Sequence, residues 1–534
     1  MATHRENERM HDSLRERGVS GPLFVSVLIG VTVVAAAYRP VLDVRAVYFD
    51  DDQYLLNNAH VRDPGWESAG VFLREVLEPS TVGGYYQPLA MISLMLDCAM
   101  GAGPDNFRPI HRTSLVIHLA NVGLVALILF RVFGKPVVAT LTALVFGLHP
   151  MTVETIAWIS DRKTHLSAFF ALTAMLLYLH FARGGGDLSP PASAVGNAGA
   201  HRYRRAFLFA GVCVCHVLSL AAKPSSMPLP LALLVLDVWP LRRFDARRIF
   251  EKVPLFVISG AFTVVAYVSQ KRTAVVDPPE FGDFQLIPLK LCYSLVLYLR
   301  KLVLPVDLSA YYPWPDAIRL TNPVVLWSVV AAIALALSLL LLFLRRRVRA
   351  APCGFVVFVI LLLPAMQIVG FSRVAASDKY VYLPAIGLLM ILAHEIIQWA
   401  NRFAARRGML AAGTALALLV LLCEFSLTRR QIATWSDSET LYRHTVGHAP
   451  RVASLRTMLG AVLAERGETK SAESEYREAI RLRPSYPPAY HRLARLLEET
   501  GRTDDAVFVY EALHAARPDL SSPVRQIQRL RSLQ

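Results

Sequence analysis

Three consecutive carboxylates, Asp50 to Asp52, follow the first long apolar run of the chain. Like charges this close cannot all ionise freely, so at least one of these acids should have a raised pKa or a cationic partner. A carboxylate tuned in this way is suited to act as a general base. The run could equally be a solvated acidic loop, or the N-terminal cap of a helix that Gln53 would begin. The other polar residues of the chain have to decide between these interpretations.

Three further groups of polar residues interrupt otherwise apolar sequence. Acids in these groups could exchange protons with a substrate, and cations could bind an anionic one. Arg162 is the candidate for binding a phosphate group, because a guanidinium group can donate two hydrogen bonds side by side. Alternatively, Lys163 is a membrane anchor and Lys223 snorkels to the interface. Asp378 and Lys379 could simply neutralise each other at a helix start. With the acidic run, the candidate site residues are Asp50, Asp51, His149, Glu154, Asp161, Arg162, Lys163, Lys223, Asp378, Lys379 and Tyr380.

Composition indicates the class of protein that carries these residues. Of the 534 residues, 54% are hydrophobic and only 18% are charged, and the mean hydropathy of +0.40 is too high for an ordinary soluble protein. The chain is therefore predicted to cross a membrane several times. The six cysteines are scattered and lie mostly in apolar runs, so neither disulfide bonds nor a structural metal site is predicted.

The net charge of +15 belongs mostly to the membrane part, where arginines cluster in short loops. This distribution argues against nucleic-acid binding and follows the positive-inside rule. Eleven spans with the N-terminus inside put every arginine cluster on the cytoplasmic side, and put the Asp50 loop and the C-terminal domain outside. The predicted spans are Pro22 to Tyr38, Ile110 to Phe130, Val137 to Leu148, Leu166 to Phe181, Ala206 to Ala222, Met227 to Leu241, Val253 to Ser269, Pro323 to Leu344, Phe355 to Val369, Tyr380 to Trp399 and Met409 to Leu427.

These spans divide the chain into predicted parts. Leu286 to Leu304 is interpreted as an interfacial or re-entrant helix, because counting it as a span would put Arg345 to Arg349 outside. Tyr86 to Met100 is interpreted as an amphipathic helix that lies on the membrane. The predicted parts are a cytoplasmic N-terminus (1–21), a membrane domain (22–428) with large outer loops (39–109 and 270–322), and a C-terminal domain (435–534).

A repeat of 34 residues follows the last span. Pro450, Pro484 and Pro518 are equally spaced, as are Gly467 and Gly501. This period, with small residues at matching positions, is typical of tetratricopeptide repeats, whose paired helices pack closely. Such repeats usually bind peptide segments in their concave face, although two repeats could also serve as a purely structural cap. A short α-solenoid that could hold a polypeptide is therefore predicted.

Neither a Walker A pattern nor a glycine-rich dinucleotide fingerprint occurs in the sequence. ATP-driven transport and nucleotide-sugar chemistry are therefore not indicated. An active site on the outer face would need an activated donor that is available outside the cytoplasm. A lipid-phosphate donor meets this condition and would suit a cavity that opens to the bilayer.

The polar motifs occur in an order that resembles a known family, the transmembrane-and-TPR-containing protein O-mannosyltransferases and their bacterial relatives. The resemblance covers nearly the whole chain. Its motifs are Phe49-Asp50-Asp51 with Asn57-Asn58, Tyr86-Gln87-Pro88-Leu89, His118-Leu-Ala-Asn121, His149-Pro150 through Glu154 to Arg162, Asp378-Lys379-Tyr380-Val-Tyr382-Leu-Pro384 and Trp435, followed by the repeats.

The resemblance implies an all-α membrane domain of the GT-C glycosyltransferase fold, followed by the repeats. It also implies a sugar donor carried on polyprenyl phosphate and an acceptor that is a Ser or Thr hydroxyl of a polypeptide. In such enzymes an Asp of the first outer loop acts as base on the acceptor. The spacing to Asn57 and Asn58 places the family's acidic pair on Asp50 and Asp51, with Asp50 as the first choice, whereas Asp52 departs from the family pattern.

The Ala- and Arg-rich composition is typical of bacteria, so a bacterial inner membrane is the expected location, with the repeats in the periplasm. Undecaprenyl-phosphate-linked hexose is then as plausible a donor as dolichyl-phosphate mannose. No cofactor is predicted, and the residues do not decide whether a divalent metal takes part. The alternative function is a non-enzymatic scaffold whose repeats recruit envelope proteins. A transporter is less favoured, because the charged groups lie near the ends of spans rather than at their centres.

Overall fold

The apolar runs fold into helices, as expected for segments whose backbone must satisfy its own hydrogen bonds within a bilayer. The predicted cytoplasmic segment before Gly21, and the basic residues Arg346 and Arg347, lie outside the described residues. Strand structure in the described part is confined to one antiparallel pair, β1 (Tyr312–Pro313) and β2 (Val374–Ala376). The computed structural model of the protein describes residues 21–75, 81–82, 86–183, 198–273, 283–345, 349–366 and 374–532.

Seventeen α-helices precede the repeats within the described residues. They are α1 (Gly21–Tyr38), α2 (Ala59–Arg62), α3 (Trp66–Arg74), α4 (Pro88–Ala99), α5 (Arg108–Phe133), α6 (Pro136–Leu148), α7 (Val153–Ala157), α8 (Arg162–Arg183), α9 (Ala198–Ala222), α10 (Leu229–Val238), α11 (Ala246–Glu251), α12 (Val253–Thr273), α13 (Ile287–Val303), α14 (Pro323–Leu344), α15 (Ala350–Leu362), α16 (Ala385–Arg402) and α17 (Arg407–Thr434). Short turns of other helix types connect them. These are a π-helix (Asp52–Leu56) and the 3-10 helices Arg39–Asp43, Pro150–Thr152, Ile159–Asp161, Pro224–Ser226, Asp283–Leu286, Leu363–Ala365 and Asp378–Val381.

Seven of the described helices are long and apolar enough to cross a membrane, namely α1, α5, α8, α9, α12, α14 and α17. An eighth candidate is α6 together with α7, a pair that is bent by 55°. Among the remaining predicted spans, α10 and α15 are shorter apolar helices. The helix α16 has 18 residues and ends in polar ones. The chain is therefore a multi-pass membrane protein, and the number of eleven spans stays a prediction.

The two segments predicted to lie along the membrane also form helices. Helix α4 has 12 residues and α13 has 17, so both are shorter than the roughly 20 residues that a perpendicular span needs. Helix α13 is fixed from one side, because the Ser294 hydroxyl donates a hydrogen bond to the Ala375 carbonyl oxygen at 3.0 Å. Contacts of this kind join the second outer loop to β2.

The C-terminal part is a stack of helices that begins directly after α17. In the two longer helix pairs, Gly467 and Gly501 follow the first helix with φ of 80° and 74°, a left-handed conformation that favours glycine. A side chain at Gly460 would collide with the Tyr476 ring at 2.6 Å, so this glycine allows close packing within its pair. The helices are α18 (Ser438–His448), α19 (Ala453–Glu465), α20 (Thr469–Leu482), α21 (Pro487–Glu499), α22 (Thr503–Ala516) and α23 (Ser522–Arg531).

Candidate active site

The acidic run lies where a turn leads into the π-helix that begins at Asp52, and its central carboxylate is completely buried. Asp51 accepts hydrogen bonds from the Val47 backbone N–H at 2.9 Å, from the Ser160 backbone N–H at 2.8 Å and from the Ser160 hydroxyl. Burial raises the pKa of Asp51 to about 7, against the effect of these hydrogen bonds. Its side chain makes no capping hydrogen bond to the helical turn that follows. The interpretations of Asp51 as a helix cap or a solvated acid are therefore wrong, and Asp51 ties the acidic loop to the turn before α8.

Asp50 is the carboxylate of the run that stays available for chemistry. Its side chain is half-buried, and within the described part of the chain no group donates a hydrogen bond to it. Burial raises the pKa of Asp50, and two nearby lysines oppose this effect. A carboxylate in this balance is suited to accept a proton from a bound hydroxyl group. The charged groups that act on Asp50 are Lys163, Lys379, Asp52 and Asp161.

Two lysines reach the site from neighbouring helices. Lys163, in the first turn of α8, donates a hydrogen bond to the Tyr54 hydroxyl at 2.7 Å. Lys223 follows α9, donates to the Thr164 hydroxyl at 2.6 Å, and lies 3.5 Å from one carboxylate oxygen of Asp161. The other oxygen of Asp161 is buried without a hydrogen-bond partner among the described residues. The turn before α8 therefore holds a second acid beside the ammonium group of Lys223.

Lys379 reaches the site from the 3-10 helix before α16. Its ammonium group lies 3.3 Å from Glu154 Oε1 and 3.9 Å from the centroid of the Trp158 ring. Glu154 also accepts hydrogen bonds from the Ser377 hydroxyl at 2.7 Å and from the Lys379 backbone N–H at 3.1 Å. Burial lowers the pKa of Lys379, but the nearby carboxylates, above all Glu154, outweigh burial and raise it. Lys379 is therefore a fixed cation.

A narrow cleft beside these lysines is lined by both polar and apolar residues. Lys223 and Lys379 both line it, and the ammonium group of Lys223 lies 5.3 Å from the centroid of the Tyr380 ring. Such a cleft suits a ligand that is anionic in one part and apolar in another. Its lining residues are Thr164, Ser167, Ala168, Lys223, Ser225, Leu361, Ala365, Lys379, Tyr380, Leu383 and Pro384.

Arg162 does not face this cleft, and the phosphate-binding role predicted for it does not fit its surroundings. Its side chain is completely buried, and all three nitrogen atoms of its guanidinium group donate hydrogen bonds within the protein. The ion pair with Asp97, at 2.6 Å, joins α8 to α4. Arg162 therefore stabilises the helix packing behind the site. The groups that accept its hydrogen bonds are Asp97, the Ile110 carbonyl, Ser93 and Ser114.

His149 and Asp378, two other predicted site residues, hold the backbone of the loops. His149 accepts a hydrogen bond from the Met151 backbone N–H at 3.3 Å, and its Nε2 atom lies 3.1 Å from the Leu302 carbonyl oxygen. The buried Asp378 carboxylate accepts a hydrogen bond from the Tyr312 hydroxyl at 2.7 Å, and burial raises its pKa. Neither residue lines the cleft.

The sequence does not single out several residues that the structure brings to the site. Tyr54 binds Lys163, Trp158 supports Lys379, and Ser160 fixes Asp51. Their position within the polar segments is the only signal that could have identified them. Among the described residues, no group of three His, Cys, Asp or Glu side chains is arranged to hold a metal ion.

The fold and the site define an all-α, multi-pass membrane protein with a C-terminal helical-repeat domain. The tetratricopeptide repeat family matches residues 463–530. This match confirms the repeats that the 34-residue spacing predicts.

More than four fifths of the chain is similar to protein O-mannosyl-transferases, which confirms the resemblance of the ordered motifs. It is 24% identical over 462 residues to protein O-mannosyl-transferase F38B6.6 of Caenorhabditis elegans, covering 82% of this chain and 60% of that protein. It is 23% identical to protein O-mannosyl-transferase TMTC1 of Homo sapiens, covering 84% of this chain and 54% of that protein. The chain thus spans a little more than half the length of these curated relatives. A solved structure, ArnT from Cupriavidus metallidurans bound to undecaprenyl phosphate, aligns with 92% of this chain and 80% of its own, at 14% identity and a TM-score of 0.36.

Proposed function

We propose that the protein is a GT-C-type membrane glycosyltransferase. It transfers a mannose-like hexose from polyprenyl phosphate to a Ser or Thr hydroxyl of a polypeptide, on the outer face of a bacterial inner membrane. The observation that carries this proposal is the environment of Asp50, a half-buried carboxylate next to the cations Lys163 and Lys379. The relatives that are named protein O-mannosyl-transferases support the hexose and the protein acceptor.

Asp50 acts as the general base in this proposal. It takes the proton from the acceptor hydroxyl, whose oxygen attacks the anomeric carbon of the donor sugar. The bond between that carbon and the phosphate oxygen breaks, and the polyprenyl phosphate leaves with the electron pair. Lys223 and Lys379, which both line the cleft, stabilise the negative charge on the departing phosphate. Lys163 favours the ionised form of Asp50 before the proton is taken.

The apolar wall of the cleft supports a lipid-linked donor. Leu361 belongs to α15 and Ala365 to the turn after it, while Leu383 and Pro384 precede α16. In this proposal, these residues contact the prenyl chain while its phosphate binds beside the lysines. Burying apolar chain here contributes roughly 25 cal/mol for each Å² removed from water.

Transfer by the purified protein in lipid nanodiscs tests the proposal. The donor is a hexose on undecaprenyl or dolichyl phosphate, and the acceptor is a short peptide with Ser and Thr. We expect glycopeptide from the wild type and a loss of roughly 100-fold or more in Asp50→Asn, because general base catalysis contributes about that much. Asp52→Asn is the matched control and should stay active. Wild-type activity in Asp50→Asn would overturn the assignment of the base, and loss in Asp52→Asn alone would move it to Asp52.

A cellular experiment separates the enzyme from the scaffold. Mass spectrometry of envelope proteins should show a hexose on Ser or Thr in wild-type cells that is absent in Asp50→Asn cells. Unchanged glycosylation, with loss of function only after deletion of residues 435–534, would favour a scaffold built on the repeats.

A further inference from the structure

The acidic loop is held by the repeat domain as well as by the membrane domain. The Arg45 backbone N–H donates a hydrogen bond to the Ser436 carbonyl oxygen at 3.0 Å. The Tyr48 backbone N–H donates to the Ser438 hydroxyl at 3.0 Å, and the Tyr48 carbonyl oxygen accepts from the Tyr442 hydroxyl at 2.6 Å. Ser438 and Tyr442 belong to α18, the first helix of the repeats. Both backbone groups of Tyr48, two residues before Asp50, are therefore bonded to α18.

A chain of aromatic rings reinforces this contact. The Phe49 ring lies 5.1 Å from the Trp158 ring, edge to face, and 6.1 Å from the Tyr442 ring. Trp158 in turn stacks on Trp435, with the ring centroids 6.0 Å apart. The ammonium group of Lys379 lies 3.9 Å from the centroid of the Trp158 ring. Aromatic pairs at such distances contribute about 0.5 to 1.5 kcal/mol beyond their burial. The rings thus connect α18 to Lys379, one of the cations of the site.

We infer that α18 is a positioning element of the active site, in which Tyr442 and Ser438 hold the acidic loop so that Asp50 faces the lysines. The carboxylate of Asp50 accepts no hydrogen bond from the described residues, so its position depends on how the backbone of the acidic loop is held. Asp51 is held by Ser160 on one side, and Tyr48 is held by α18 on the other. This inference rests on the proposed function, and it gives the first repeat helix a part in the transfer step besides any capture of polypeptide.

Kinetics with a short acceptor test this role. Tyr442→Phe keeps the ring and removes the hydrogen bond to Tyr48. We expect kcat to fall about tenfold, the worth of one hydrogen bond, with little change in KM for a short Ser/Thr peptide. The matched control is Tyr490→Phe, because Tyr490 also donates to a backbone carbonyl within the repeats, that of Pro484 at 2.9 Å. If the repeat domain only captured acceptor, Tyr442→Phe would instead raise KM for long polypeptides and leave kcat unchanged. That result would overturn the inference.

Amide hydrogen exchange checks the same contact without any assay of transfer. The Tyr48 amide should exchange about tenfold faster in Ser438→Ala than in the wild type, because the hydroxyl that accepts its hydrogen bond is gone. Equal exchange in the two proteins would show that α18 does not hold the loop. The wild type could transfer no sugar while the Tyr48 amide still exchanges faster in Ser438→Ala. The proposed function would then fail, but the contact between α18 and the acidic loop would be confirmed.

Discussion

Asp50 and Asp51 are neighbours in the chain, but hydrogen bonds divide their roles. Asp51 is completely buried and its carboxylate receives three hydrogen bonds, whereas Asp50 is half-buried and its carboxylate receives none from the described residues. A buried, fully bonded carboxylate shapes the loop, and a carboxylate without such bonds can take a proton. The same two residues would be indistinguishable if only their charges were considered.

Asp51→Asn should destabilise the protein as well as inactivate it. The amide replaces one acceptor oxygen by an N–H2 group, so either the Val47 or the Ser160 backbone N–H would meet another donor. Leaving a buried donor unpaired costs about 1 to 3 kcal/mol. Thermal unfolding in detergent, followed by tryptophan fluorescence, should show a lower Tm for Asp51→Asn and an unchanged Tm for Asp50→Asn. A wild-type Tm in Asp51→Asn would contradict the structural role.

The pH dependence of transfer should report the surroundings of Asp50. A base works when ionised, so kcat/KM falls as the pH decreases through the pKa of Asp50. Burial and the carboxylates Asp52 and Asp161 raise this pKa, while Lys163 and Lys379 lower it. Lys163→Gln removes one cation, so the pKa rises further and the acid limb of the profile moves to higher pH. The measurement is kcat/KM from about pH 4 to pH 9.

Two variants control for the loss of a lysine in that experiment. Lys163→Arg keeps the positive charge next to Asp50, so its acid limb should stay closer to that of the wild type. Lys290→Gln removes a lysine of α13 that lies over the Trp314 ring and should leave the profile unchanged. A shift of Lys163→Gln toward lower pH would contradict the assignment of Asp50 as base.

At the scale of elements, the helices around the cleft depend on very close packing. Helices α15 and α16 meet at Gly354 and Gly387, where a side chain on Gly387 would collide with the Gly354 carbonyl oxygen and lie 2.6 Å from the Phe358 backbone nitrogen. Small residues allow such backbone contact between membrane helices. This contact sets the distance between two helices that border the apolar wall of the cleft.

Gly387→Ala should therefore destabilise the membrane domain by about 1 to 3 kcal/mol, since backbone atoms cannot move aside as a flexible side chain would. Gly123→Ala, in α5, is the matched control. Nothing lies within 4 Å of a side chain added there, and alanine is the better helix former by about 1 kcal/mol. Detergent unfolding curves should separate the two variants clearly. Equal Tm values would show that α15 and α16 can move apart freely.

The elements show what the sequence could predict and why the rest was missed. Long apolar runs predict helices because period and length are local properties, and the 34-residue spacing predicts the repeats for the same reason. The partner of Arg162 is not local. Asp97 lies 65 residues earlier on α4, so nothing near Arg162 indicates that its charge is already neutralised. The gathering of acids and lysines around Asp50 is partly predictable, because the predicted spans put the polar residues at several helix ends on the same side of the membrane.

At the scale of the whole molecule, two parts that look independent in sequence share one site. The apolar runs and the repeats differ in composition and period, so their boundary is easy to predict. Their contact is not, because it depends on backbone groups of Tyr48 and on side chains of α18 nearly 400 residues later. The repeat domain must then lie on the same side of the membrane as the acidic loop.

Cysteine labelling tests this orientation. Glu499, in the repeats, and Arg247, in an arginine cluster, are both exposed, and a membrane-impermeant maleimide can reach exposed thiols only on its own side. We expect Glu499→Cys to be labelled in intact spheroplasts and Arg247→Cys only after permeabilisation, because basic loops stay in the cytoplasm. Replacing the exposed Cys423 of α17 by Ala in both variants removes one background thiol. The reverse pattern would put Asp50 in the cytoplasm, where nucleotide sugars are available and a lipid-linked donor is no longer required.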